Sequence, residues 1–407
     1  MFKKNHYCPH VSFQAIVICL LAAIFYCYEY YLRVAPSIMS FELKEAYRLS
    51  DAGLGFLSAF YYYAYTPLQL PVGMMMDKCG PRKILTLACM LCVIGTYLFA
   101  GTEFLLVAQI GRFLVGFGSA FAFVGVLRIS ASWLPEKAYA TMVGLTSLLG
   151  MLGAVAGDVV MTFLTEQIGW QSTLYWSALV GIVLALLLWI IIRNHPKKSI
   201  NTTATTLELP LLEALKTVLL DRKLWLVGMI GCFTYMPLSV FAEMWAVPFL
   251  EATKLTREQA AFGSSLVFLG FAIGSPIWGI ISDFMGSRKT PIIFGSFLAA
   301  LSATIIIFFS NTSLNINYAL LFSLGFFTSA EVLVFAIGND NCKKEISATT
   351  ISFINMVVML GGMILQPIAG YLLDICNDDY KIALLSLPAG LAIAGFLSLR
   401  ITETAKL

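Results

Sequence analysis

Charge is scarce in this sequence. Only 12% of its residues are Asp, Glu, Lys or Arg, where a soluble globular protein carries about 25%. A chain with so little charge cannot cover a surface that faces water, whereas a surface that faces lipid needs none. Histidine is nearly missing too. The three present, His6, His10 and His195, fall outside the apolar runs, so a proton relay inside them would fall to carboxylates. The nine cysteines build no disulfide framework, and Cys19, Cys27, Cys89, Cys92 and Cys232 sit within apolar runs. The CxxC spacing of Cys89 and Cys92 has no second pair, so these read as small apolar helix residues and not as a metal or redox site. HExxH, GxSxG, P-loop and Rossmann glycine patterns are all absent. With loops too short for a soluble catalytic domain, an enzyme is not expected. A net charge of +3 offers no basic surface for nucleic acid.

What the chain has is apolar length, with 59% hydrophobic residues in 407. A spanning helix takes about 20 mostly apolar residues. Such runs lie near 12–38, 52–75, 83–101, 104–132, 139–164, 171–192, 223–249, 258–283, 290–310, 315–338, 346–373 and 381–400. The first is too long for a signal peptide, lacks a clean cleavage site and holds Glu29 and Arg33. One connection is long and polar, 193–222, with Pro196, Lys197, Lys198 and a Thr-rich stretch. It divides the chain into six helices over 1–192, a loop, and six helices over 223–407. Basic residues set the orientation. Eighteen lie on one side of this topology and five on the other, which places both termini in the cytoplasm.

The halves repeat. Gly73, Asp77, Gly80, Arg82 and Lys83 follow the second run, and Gly279, Asp283, Gly286, Arg288 and Lys289 recur 206 residues later, after the eighth. Met151-Leu-Gly-Ala154 is echoed by Met359-Leu-Gly-Gly362 at an offset of 208. Two parallel six-helix units follow. Each loop residue has a physical use. The first glycine lets helices approach closely. The aspartate caps a neighbouring helix or pairs with the arginine, and the second glycine permits the tight turn.

This duplicated turn resembles the loop motif of the major facilitator superfamily. Arg112 followed by Gly116 and Gly118 resembles that family's fourth-helix motif. The resemblance covers nearly the whole chain. It implies an all-α membrane protein of twelve transmembrane helices in two pseudo-symmetric six-helix bundles, working by alternating access, with the duplicated loops as conformational switches and a monomer as the default. The fifth helix departs from the antiporter signature, since Gly153 is followed by Ala154 instead of proline, which counts against efflux. Leu32-Arg33-Val-Ala-Pro36 and Arg128-Ile-Ser-Ala-Ser-Trp133-Leu-Pro135-Glu136 resemble the organic-anion symporter branch. The stretches Ser58–Tyr65 and Gly116–Gly125 resemble nutrient importers of bacteria that live inside phagosomes, a group associated with amino acids and nucleosides.

Seven charges fall inside the runs: Glu29, Arg33, Arg112, Arg128, Asp158, Glu243 and Glu331. A charge at the bilayer centre costs at least about 2.5–3.5 kcal/mol on insertion scales, so each should face a cavity or a partner. Glu29 and Arg33 are four residues apart on one helix face, in reach of each other. Arg112 and Asp158 both belong to the outer half and could pair, as a coupling element or as a static structural pair. Arg128 lies about 24 Å further along its helix, a position that also suits an interfacial snorkelling arginine. The 206- and 208-residue offsets put Tyr235, Ser239, Tyr318, Val334 and Gln366 opposite five of these charges. The scaffold repeats and the charges do not, as expected of groups that serve one substrate.

The resulting expectation is a secondary active transporter: proton-coupled uptake of a small polar nutrient, whether amino acid, short peptide, nucleoside or organic anion. An efflux antiporter or a non-transporting membrane sensor of the same fold is the alternative. Arg33 and Arg128, with Tyr61, Tyr62, Tyr65, Asn355 and Gln366, are the expected substrate contacts. Glu29 and Asp158 lead the proton-carrier candidates, joined by Arg112, Glu243 and Glu331. A solute anion that takes over an arginine changes the proton affinity of that arginine's carboxylate. No cofactor is expected beyond the proton gradient, and the partners are the solute and the lipid bilayer, in a bacterial inner membrane. Pro36, Pro237 and Pro367 mark expected breaks or hinges.

Overall fold

A computed structural model of the protein describes residues 12–193, 211–309, 313–343 and 346–402. The side chain of Asp77, most of the 193–222 loop and both chain ends lie outside the described residues, as do Lys3, Lys4, Lys197, Lys198, Lys344 and Lys406 of the basic set.

Each apolar run forms a helix that satisfies its own backbone polar groups, the requirement lipid imposes. The twelve are α1 (Phe13–Ile38), α2 (Asp51–Leu68, continued as Val72–Cys79), α3 (Pro81–Ala100), α4 (Leu105–Trp133), α5 (Thr141–Ile168) and α6 (Trp170–Ile191), then α7 (Arg222–Ala252), α8 (Arg257–Met285), α9 (Lys289–Phe308), α10 (Leu314–Asp340), α11 (Ser347–Ile375) and α12 (Tyr380–Ser398). Eleven are long and apolar enough to cross a bilayer on those grounds alone. Tyrosine-rich α2, bent over Gln69–Pro71, completes the set. It was expected to run unbroken from 52 to 75, but Pro71 has no N–H to continue the ladder. Pro36 and Pro237 coincide with irregular turns in α1 and α7, whereas Pro367 sits inside continuous α11.

The long connection is not all loop. Leu211–Leu220 is a helix that buries Ala214 and Val218, four residues apart, against α7 and α11. Its apolar residues recur at helical spacing within a segment whose polarity had marked it as a linker.

The first six helices pack on one another, as do the last six. The two groups meet along α2 with α11, α5 with α8, and the end of α1 with α7. Helix α7 is 78% buried and α6 only 39%, so α7 is central and α6 faces outward. Within each group several glycines allow near backbone contact, most closely Gly116 in the first and Gly325 in the second. A Cβ on Gly116 would sit 2.0 Å from the Tyr61 carbonyl, and one on Gly325 would sit 1.9 Å from that of Val267. Tyr61 and Val267 are 206 residues apart, so the same close approach recurs in both halves.

The two ends of the assembly differ. At the far end, away from the chain termini, Arg257 of α8 makes a forked pair with Glu42 at 2.6 and 2.9 Å and also donates to the Ile38 carbonyl. Beside it, Asp374 of α11 accepts from the first amides of α2, Asp51 N at 2.9 Å and Ala52 N at 3.1 Å. Both contacts join the two groups. At the near end, Gly73 and Gly279 have nothing within 4 Å of a notional Cβ. The close approach expected of these loop glycines is therefore absent in this conformation. Gly80 and Gly286 do occupy positive φ, at 79° and 58°. Arg82 donates to the Trp189 carbonyl at 2.8 Å and lies over its ring. Arg288 pairs with Asp340 at 2.7 Å, at the end of α10, while the loop's own Asp283 is exposed.

Candidate functional site

The buried charges of α1 and α7 converge between the two groups, with tyrosines of α2 beside them. One turn apart on α1, Arg33 Nη2 donates to both Glu29 oxygens at 3.1 Å. Tyr61 of α2 donates to Glu29 Oε2 at 3.0 Å. From α7, Glu243 brings Oε1 to 3.5 Å from Arg33 Nη1 and accepts a hydrogen bond from the Tyr62 hydroxyl. The Tyr30 and Tyr235 hydroxyls meet at 3.3 Å, a second bridge from α1 to α7. The Arg33 guanidinium carbon lies 4.1 Å from the Tyr30 ring centre, 4.9 Å from that of Tyr61 and 5.1 Å from that of Tyr65. Cation–π attraction strengthens when it is desolvated like this, and Glu29, Arg33 and Glu243 are at most 1% exposed.

The inter-group contact is incomplete. Arg33 Nη1 and Nε and Glu243 Oε1 are buried without a hydrogen-bond partner. A buried polar atom left unpaired costs about 1–3 kcal/mol, so this ion pair holds the groups together with capacity unused on both sides.

The expected pair of Arg112 and Asp158 does not form. Arg112 donates to the carbonyls of Leu32 at 3.1 Å and Arg33 at 3.2 Å. The reason is local. Pro36 has no N–H to return to Leu32, and the Ser37 amide bonds the Val34 carbonyl instead. Two α1 carbonyls are thereby released, and Arg112 satisfies them. Asp158 lies in a one-turn π segment of α5, Gly157–Met161, fully buried, with neither oxygen hydrogen-bonded. Its polar neighbour across the interface, Ser264 of α8, gives its hydroxyl to the Ala242 carbonyl at 3.2 Å.

The remaining candidates scatter. Asn355 donates to Gln69 at 2.8 Å, joining α11 to α2. The Gln366 side-chain amide donates to the Ser239 carbonyl at 2.6 Å, and the Gln366 backbone carbonyl accepts from the Trp245 indole at 3.1 Å. Gln366 thus fastens α11 to α7. Glu331, in a 3₁₀ turn of α10, is buried with Oε1 unpaired near Gly231. Arg128 is exposed, on the near-end half of α4. Sequence reasoning missed Tyr30 and Tyr235 as site residues. The second had a signal, since Tyr235 is the repeat counterpart of Glu29. Glu42, Arg257 and Asp374 were overlooked because nothing in a sequence says which helix ends face each other.

Comparison with known proteins bears on this arrangement. The family model for the Major Facilitator Superfamily matches residues 18–364 and 229–406. Among curated proteins, the chain is 25% identical to "Probable galactarate/D-glucarate transporter GudP" of Escherichia coli, over 84% of this chain and 83% of that one. It is 24% identical to "Probable sulfoacetate transporter SauU" of Cupriavidus necator, over 88% and 86%. Among solved structures, a D-xylose–proton symporter superposes with a TM-score of 0.78 at 14% identity, covering 96% of this chain and 98% of that one. A bacterial homologue of the human lysosomal transporter Spinster gives 0.76 at 16%, covering 95% of each. Twelve helices in two six-helix groups, a duplicated loop motif and a match along nearly the whole length place this chain in the Major Facilitator Superfamily, as a membrane transporter and not an enzyme.

Proposed function

We propose that the protein is a proton-coupled importer of a small solute that carries a carboxylate, and that residues 1–192 and 223–407 rock about the Arg33 cluster. The observation that carries this reading is the unfinished contact between Arg33 and Glu243. A solute carboxylate can take the unused Nη1 and Nε donors of Arg33 and displace Glu243. A carboxylate that loses its arginine in a buried site then favours the protonated form. Solute and proton thus enter together, and the bridge between the two groups is rebuilt through them. The names of the curated relatives, transporters of galactarate, D-glucarate and sulfoacetate, support an anionic solute. An amino acid remains in the same class, since it too presents a carboxylate. The excess of basic residues on the terminal side supports a cytoplasmic near end. With the far end latched, this reading makes the conformation inward-facing, and it takes the protein as a monomer in a bacterial inner membrane.

The test uses purified protein in proteoliposomes. Organic acids, sugar acids, sulfonates, amino acids, dipeptides and nucleosides are added outside, and internal pH is followed with and without sodium. Acidification by one carboxylate-bearing class, without sodium, is the expected result. Glu243→Gln should abolish proton-driven uptake yet spare solute exchange. Working exchange with no acidification by any class would remove the proton from the mechanism.

A further inference from the structure

Among the described residues buried inside the spans, Arg33 pairs with the carboxylates Glu29 and Glu243, Arg112 is bonded to the α1 carbonyls, and Glu331 lies apart in α10. Asp51, at the far end, has Lys44 at 2.8 Å. Asp158 has no basic partner. It is 0% exposed, both its oxygens lack a hydrogen bond, and the arginine that sequence position suggested for it is turned to the α1 carbonyls. The groups around it are few. From α7 the facing charge is Glu243, which repels an anion, and from α8 the facing polar group is Ser264. From α1, Tyr31 and Val34 pack on the adjacent Gly157, with the Tyr31 hydroxyl held by Ser177 at 3.2 Å. On α5 itself, Thr162 donates to the Asp158 backbone carbonyl at 2.6 Å and leaves the side chain alone.

An ionised carboxylate cannot be kept so. Removing an isolated charge from water costs several kcal/mol even after relaxation, and the group neutralises instead. The location gives this neutralisation a consequence. The π turn widens α5 where it packs on both the broken end of α1 and α8 of the other group. Extra-wide turns of this kind are frequent at functional sites. Parting α5 from α8 would let water reach the carboxyl and allow ionisation, while rejoining them demands the proton back.

We propose that Asp158 is a proton-binding site whose occupancy decides whether the two groups can stay joined along α5 and α8. It is separate from the Arg33 cluster, needs no solute, and rests on the reading of the protein as a proton-coupled transporter only for its use in transport. The bond formed is O–H on an Asp158 oxygen. The proton comes from water at the open face and returns to water at the other face.

The experiment is infrared difference spectroscopy of the full-length protein in lipid across a pH series without solute, reading the C=O stretch of protonated carboxyls, together with transport in proteoliposomes. Wild type should carry a protonated-carboxyl band at neutral pH, and Asp158→Asn should lose one carboxyl's share of it. Asp158→Glu should keep a shifted band, which covers the case of an Asn variant that fails to fold. In transport, Asp158→Asn should lose at least tenfold in proton-driven accumulation and retain solute counterflow within about twofold. A band unchanged by Asp158→Asn at every pH would show that Asp158 is ionised and overturn the site. Full proton-driven accumulation in that variant would overturn its role in coupling. Counterflow absent in wild type would instead defeat the transport reading, and the spectra would still decide whether Asp158 binds a proton.

Discussion

Arg33 is the residue on which the most interactions converge: a forked bond to Glu29, an ion pair to Glu243 and three aromatic faces. Its removal leaves two carboxylates buried side by side. Breaking a buried pair by deleting one partner costs about 3–5 kcal/mol. Arg33→Ala is accordingly expected to lower the melting temperature of the detergent-solubilised protein, and adding Glu29→Gln should recover part of the loss, because one stranded charge goes with it. Equal melting of the single and double variants would show that the pair is not coupled. Arg33→Lys keeps the charge but loses the planar fork. Counterflow should fall at least tenfold in that variant while expression holds.

At the scale of elements, irregular turns sit where the chemistry is. The π turns of α5 and α7 and the 3₁₀ turn of α10 hold the buried carboxyls Asp158, Glu243 and Glu331, and the Pro36 break in α1 begins directly after Arg33. Regular stretches do the packing, and there the backbone approach at Gly116 and Gly325 is limiting. Alanine at either position drives a methyl into a carbonyl of the next helix, and overpacking of this kind costs about 1–3 kcal/mol. Gly116→Ala and Gly325→Ala should both melt earlier than wild type. Gly73→Leu should not, since nothing stands within 4 Å of its Cβ position. It should still slow transport, because the near end must close over that glycine in the other conformation. A Gly73→Leu variant that transports at the wild-type rate would mean that α2 and α11 do not close there.

Over the whole molecule the asymmetry of the two ends is the main mechanical fact. Every solute entering from the far side must part Arg257 from Glu42 and the α2 amides from Asp374. A disulfide between cysteines replacing Glu42 and Arg257, in a background with the nine native cysteines removed, is expected to stop transport and to release it on reduction. A third cysteine, introduced at Gly73 where nothing stands within 4 Å of a Cβ, should stay reactive toward a water-soluble thiol probe at the near end throughout. Transport unaffected by complete cross-linking would refute far-end opening.

The sequence by itself determined the apolar runs, their division six and six, the repeat and the set of intramembrane charges. These are local or periodic properties, written residue by residue and forced by the cost of bare backbone and charge in lipid. The pairing of Glu29 with Arg33 was legible for the same reason, as a one-turn spacing on one helix. The tertiary structure decided everything that depends on which helices meet. It turned Arg112 from Asp158 to the α1 carbonyls freed around Pro36, brought Glu243 from the other half onto Arg33, committed Gln366 and Asn355 to helix contacts and left Asp158 alone. An arginine meets whichever acceptor the packing places within about 3 Å. Residues 32 and 112, or 33 and 243, are neighbours only because two helices distant in sequence cross there.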